Sequence, residues 1–244
     1  MRMLASHWRL GTIRAETHVP KKKWSRLMLV LSSSTECPSF VDARFAPHDF
    51  DLASAVVYKD FVTEKEGESL VQDIMARMKR RRYEKGHWDA VITDFKEVEL
   101  MDENSLQKES QKVIERVRDQ LIAARHVDSN VTWLPCHAID LKQDGELKAH
   151  VDSIKFSGGV VAGISLLSSS IMRLKPDDEQ HGGWVDIYLP PLSLYVLSSV
   201  SRYRYSHELL PCGSTFERPD GTTISVQRER RLSVIFRDAK QDNP

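Results

Sequence analysis

The chain has 244 residues, 41% hydrophobic and 29% charged, with a formal net charge of zero at pH 7. Those proportions belong to an ordinary globular domain and exclude a low-complexity or collagen-like chain. Cys37, Cys136 and Cys212 are far apart with no CxxC pair, which excludes a disulfide framework, and no apolar run approaches the roughly 18 residues of a membrane-spanning helix.

The zero charge hides an asymmetry. Residues 1–35 hold seven basic residues and one acid, Glu16, leaving 28 basic against 34 acidic residues in the remainder. An Arg/Lys-rich, acid-poor leader fits a mitochondrial transit peptide. The absence of a sustained period places leader and linker over 1–55 and a single domain over 56–244, with order beginning near Tyr58.

Thr63 followed by Glu66 makes a capping box, which predicts a helix over 64–81 with Leu70, Ile74, Met75 and Met78 on its apolar face. Residues 87–100 alternate like a short hairpin. Val113, Ile114, Val117, Leu121 and Ile122 then recur at helical spacing, predicting a helix over 105–125. From residue 131 short β-branched and aromatic runs alternate with turn signals. Strands are predicted over 134–142, 147–151, 159–167, 171–175, 184–189, 193–198, 203–208 and 231–237, with a loop over 211–228. Eight strands after two helices predict an α+β fold, a double-sheet jelly roll flanked by N-terminal helices.

The candidate chemistry begins at His150 and Asp152. Two residues apart on a strand, both side chains point the same way while Val151 points opposite. With His207 from a later strand they make two imidazoles and a carboxylate, the facial triad of non-haem Fe(II) oxygenases. His-x-Asp alone arises by chance, and a histidine on a β face is more often structural than ligating. What lifts the reading is the strand 231–237. Arg231, Ser233, Ile235 and Arg237 share one face; Leu232, Val234 and Phe236 share the other. An arginine inside a jelly roll is costly unless paired, and a bound dicarboxylate would pair it. Six residues of strand span about 20 Å, so Arg231 is the better direct carboxylate contact of the two. Tyr195 alternates in phase with Ser193 and Leu197, and a buried hydroxyl needs a partner.

His-x-Asp, a distal His and Arg-x5-Arg, with the stretches RRRYEKGHWDAVI, HVDSIKF, AGISLLS, SLYVL and RYSHELL, resemble the AlkB family of Fe(II)/2-oxoglutarate dioxygenases, and its mitochondrial branch in particular, over about residues 58–237. The resemblance implies a double-stranded β-helix and iron held by His150, Asp152 and His207. It further implies 2-oxoglutarate bound by Tyr195, Arg231 and Arg237, with Leu232 and Ser233 lining the same site, O2 as the second cosubstrate, and a mitochondrial matrix location. That branch is associated with programmed necrosis and fatty-acid metabolism. Two departures stand out: the Asn-x-Tyr that many relatives carry upstream of His-x-Asp is missing from WLPCHAIDLK, where His137 and Asp140 take no assigned role, and the nucleotide-recognition lid has no counterpart.

The substrate is a protein side chain or an RNA base. The acidic body disfavours duplex DNA, whose binding rests on phosphate neutralisation, while Lys79-Arg80-Arg81-Arg82 is a local basic cluster. A zinc-dependent hydrolase on the same ligands leaves the paired arginines without a task. An interaction module, or a regulatory protein keeping an iron site for weak turnover, is the remaining alternative.

Overall fold

The computed structural model describes residues 35–87, 89–178 and 182–240. In chain order the strands are β1 (Thr35–Glu36), β2 (Val41–Asp42), β3 (Ala55–Lys59), β4 (Phe95–Leu100), β5 (Cys136–Leu141), β6 (Ser157–Leu166), β7 (Ser170–Pro176), β8 (Val185–Leu189), β9 (Leu194–Ser198), β10 (Tyr205–Leu209), β11 (Ser214–Glu217), β12 (Thr223–Val226) and β13 (Arg231–Ala239). The helices are α1 (Glu64–Met78), α2 (Lys108–Ala123) and the short α3 (Ser199–Tyr203). A seven-stranded sheet runs β1-β3-β9-β6-β13-β5-β4, and a four-stranded sheet runs β10-β7-β8-β2. Their antiparallel ladders make the expected jelly roll.

Two apolar layers follow from strand alternation. Leu232, Val234 and Phe236 of β13 join Val160, Ala162 and Ile164 of β6 against Leu70, Ile74 and Met78 of α1 and Val113, Ile114, Val117 and Leu121 of α2. Each fully buried aliphatic side chain of this kind contributes about 1.5–3 kcal/mol, more than helix propensity supplies to either helix. Between the sheets lie Val57, Leu141, Tyr195 and Leu197 from one side and Met172, Leu174, Val185, Ile187 and Leu189 from the other.

The α1 start is built as its sequence predicts. Thr63 Oγ1 accepts from the Glu66 N–H at 3.3 Å, and Glu66 Oε2 accepts from the Thr63 N–H at 2.9 Å. Arg116 of α2 then donates to both Glu66 oxygens, at 2.7 and 2.8 Å. The Arg116 guanidinium, with the capping bonds, draws the Glu66 carboxyl down to about 2. A carboxylate whose folded pKa lies below its unfolded value stabilises above about pH 4.5, and that contribution vanishes as pH falls toward 2. Glu66→Gln should therefore cost on the order of 2 kcal/mol at pH 7, allowing for partial solvent screening. The gap from wild type should close in urea melts run near pH 2.5; a gap unchanged between the two pH values would contradict this account.

Five expectations need correction. Residues 35–55 are not linker: β1 extends the large sheet, β2 the small one, and Phe40 and Val41 are buried. Strands of two residues carry too little period to be seen in sequence. The rest of the expected leader lies outside the described residues. Residues 147–151 form no continuous strand. Lys148 N–H bonds to Val91 O on one side, while Leu147 O accepts from Leu209 N–H on the other, so the bonds alternate between two neighbours and no ladder builds. The 211–228 loop contains the β11–β12 hairpin. Both helices are shorter than predicted, and residues 87–100 resolve into a Glu84–Phe95 bridge closing a turn, with β4 running on along the sheet edge.

Candidate metal and cosubstrate site

His150 and His207 face each other across a single bridge. Each backbone N–H donates to the other's carbonyl, at 3.2 and 2.8 Å, and their rings sit 4.2 Å apart. The carboxylate of Asp152 meets both: its Oδ1 is 3.5 Å from His150 Nε2 and 4.0 Å from His207 Nε2. One ligand atom from each residue can be chosen so that all lie within 4.8 Å of one another. Facial ligands about 2.1 Å from one divalent metal would stand about 3 Å apart, so rotamer-scale adjustment closes the site on an ion. His150 Nδ1–H donates to the carbonyl of Lys148 at 2.8 Å, which leaves Nε2 as the free ligand nitrogen.

The protonation states of His207 and Asp152 suit a cation. Burial, and then the charge of His150, push the His207 imidazole down to about 3, so it is neutral with a lone pair available. Burial works against ionising Asp152, but His150, Arg237 and His207 outweigh it and hold the carboxyl well below its usual range. For His150 the penalty of burial is outweighed by Asp152 and the Lys148 carbonyl, and the net shift is upward.

The two arginines of β13 divide the work. Arg237 Nε donates to Asp152 Oδ2 at 2.7 Å, turning the carboxylate's second oxygen away from the histidines. Arg231, 4% exposed, lies against the Tyr195 hydroxyl, and its Nε and Nη2 are sealed from water without a hydrogen-bond acceptor. The six-residue spacing thus places the two arginines on different partners, Arg237 on Asp152 and Arg231 beside Tyr195. Tyr195 fits because β6 has Gly163 opposite it. A Cβ there would come within 2.6 Å of the ring and hydroxyl, so glycine allows the ring to lie flat on the sheet. Ser233 faces inward with Arg231, beside Ser165, whose buried hydroxyl also lacks a partner.

Leu232 does not line this site. Strand alternation turns it toward the helices, fully buried among α1 and α2 residues. Ile139 and Leu141 of β5 pack toward the inter-sheet layer, so the strand upstream of His150 supplies apolar walls. Asp140 is fully buried on the opposite face of β5, where it accepts from Arg230 at 2.7 and 2.8 Å and from the Tyr83 hydroxyl at 2.9 Å. His137 pairs with Glu97 at 3.0 Å. Two residues escaped the sequence reading: Gly163, and Arg202 of α3, buried against the Asp152 segment. An arginine in the small-residue run SSVSRY was the available signal for the second.

A jelly roll with a converged His/Asp/His cluster, and a buried arginine whose donors lack an acceptor, defines a 2-oxoglutarate-dependent oxygenase. No family model matches the chain. It is similar to the mouse protein named alpha-ketoglutarate-dependent dioxygenase alkB homolog 7, mitochondrial, 39% identical over 183 residues, 75% of this chain and 77% of that one. The bovine protein of the same name is 39% identical over 186 residues, covering 75% and 78%. Among solved structures, a Pseudomonas putida prolyl-4-hydroxylase superposes with a TM-score of 0.53 at 12% identity, over 78% of this chain and 94% of that one. OsALKBH1 superposes with a TM-score of 0.50 at 14% identity, over 75% and 96%; at such identities the likeness is one of fold. The chain belongs to the AlkB family of alpha-ketoglutarate-dependent dioxygenases, whose cofactor is Fe(II) and whose cosubstrates are 2-oxoglutarate and O2.

Proposed function

We propose that His150, Asp152 and His207 hold the iron, that Arg231 and Tyr195 take the distal carboxylate of 2-oxoglutarate beside Ser233, and that Arg237 orients Asp152. The observation that carries this is the buried Arg231 guanidinium, its Nε and Nη2 without an acceptor on the face shared by the His/Asp/His cluster. When bound, iron and 2-oxoglutarate supply O2 activation, with oxidative decarboxylation to succinate and CO2 coupled to oxygenation of a C–H bond. The chain's residues bind and orient: two imidazole nitrogens and an ionised Asp152 for the cation, a guanidinium and a phenol for the dianion.

The enzyme hydroxylates or demethylates a protein or RNA substrate in mitochondria, in the matrix, with a role in programmed necrosis and fatty-acid metabolism. The mitochondrial names of its mammalian relatives and the basic leader support the location. For the substrate, Ile154 and Phe156, 55% and 75% exposed just beyond Asp152, favour an apolar protein segment. The exposed 79–82 cluster favours RNA, since Arg81 acts on Glu97, which shares the inward face of β4 and β5 with His137. A regulatory protein with weak turnover would retain the same site.

The test is uncoupled turnover. Full-length protein given 2-oxoglutarate and O2 should form succinate with Fe(II), stop with chelator, and fail to restart with Zn(II). Zn(II)-supported hydrolysis without succinate would overturn the reading.

A further inference from the structure

Arg202 is 2% exposed, and among the described residues no carboxylate lies within ion-pair distance of it. Its Nη1 donates to the Asp152 carbonyl at 3.1 Å. Its Nη2 donates to the Ser153 carbonyl at 3.4 Å and to Ser157 Oγ at 2.7 Å. Every one of these acceptors lies on the segment that leaves the metal site. The Ser157 hydroxyl in turn donates a hydrogen bond to the Ser153 carbonyl at 2.8 Å, so the loop is tied to itself as well as to Arg202.

Packing does not account for such a residue. A buried guanidinium without a paired anion is costly, and an apolar side chain of similar volume is commonly neutral or stabilising in its place. The fold nonetheless spends backbone strain to put it there: Ser199, at the start of α3, has φ of +49°, a left-handed conformation that side chains other than glycine's disfavour. The helix is fastened from beneath by the buried contact between the hydroxyls of Ser201 and Ser54. Directly after α3 the chain enters β10, which carries His207. One side chain thus joins the element leading into one metal ligand to the loop carrying another.

We propose that Arg202 is a positioning residue for the metal centre: through the Asp152, Ser153 and Ser157 oxygens it holds the 152–157 loop so that the Asp152 carboxylate stays converged with His150 and His207. The proposal rests on the triad being the metal site. Arg202 touches neither the metal position nor the cosubstrate arginine. Its planar fork is the reason for its identity, because several acceptors in different directions need fixed donors, and a lysine ammonium on a flexible stem cannot hold them in the same register.

The experiment titrates full-length wild type, Arg202→Met and Arg202→Lys with Co(II), reading affinity and the visible spectrum, and melts each metal-free protein. Arg202→Met should melt within a few degrees of wild type yet bind Co(II) roughly 10- to 100-fold more weakly, the range seen when groups supporting metal ligands are removed. Its Co(II) spectrum should change shape, showing altered coordination, and Arg202→Lys should recover affinity only partly. Co(II) affinity within twofold of wild type, with an unchanged spectrum, in either folded variant would overturn the proposal. If Arg202→Met does not fold, Arg202→Lys alone decides on the same criteria. Wild type that binds no Co(II) would instead overturn the triad itself, and the proposal with it.

Discussion

Replacing Arg231 with methionine should raise the 2-oxoglutarate concentration for half-maximal succinate formation by roughly a hundred- to a few-thousand-fold. Removing one partner of a buried charge pair costs about 3–5 kcal/mol, and each 1.4 kcal/mol is about tenfold in affinity. The loss falls on cosubstrate because Arg231 faces Tyr195 and not the metal ligands; Co(II) affinity should stay within about threefold of wild type. The free protein should respond in the opposite sense. Without cosubstrate, the Arg231 Nε and Nη2 are buried and lack acceptors, so a methionine there should leave the melting temperature unchanged or raise it. A variant that melts lower but keeps its apparent affinity for 2-oxoglutarate would show Arg231 to be a structural arginine.

The second large effect is expected from Asp152→Asn. The amide keeps the shape and loses the charge, leaving two neutral imidazoles and the unpaired Arg237 guanidinium around a dication. Iron should be lost on gel filtration, and succinate formation should fall by at least about a thousand-fold, the equivalent of roughly 4 kcal/mol. Far-ultraviolet circular dichroism should be unchanged, since Asp152 lies outside the strand ladders. Iron retained at one equivalent with more than half of wild-type turnover would remove Asp152 from the ligand set.

What could be read from sequence was whatever had a long period or a local rule. The alternation of β13 separated Arg231, Ser233, Ile235 and Arg237 from Leu232, Val234 and Phe236, and the structure keeps that separation. It also shows why Leu232, expected at the cosubstrate site by family resemblance, belongs to the helix layer. Thr63 and Glu66 marked the start of α1 to the residue because a capping box is local. The two-residue strands, the five-residue α3 and the β11–β12 hairpin depend on distant partners and leave little pattern of their own. The 147–151 segment failed for the same reason: its hydrogen bonds go to residue 91 on one side and to residues 207 and 209 on the other, and no short window encodes two neighbours. Arg202 was missed because a charge's burial is a tertiary fact.

The site is built from parts of unequal stiffness. β13, which carries Arg231, is laddered on both edges, to β5 and to β6, and cannot leave without tearing the middle of a sheet. His150 is tied to β10 by one reciprocal pair of backbone bonds, and Asp152 lies outside any ladder, held through Arg202 and Arg237; such a stretch can open locally while the body stays folded. On the proposed assignment, releasing iron would need only local opening around Asp152, whereas removing Arg231 from the site would need the sheet itself to come apart. Protein stripped of metal would then keep its dicarboxylate-binding wall and could reload without refolding.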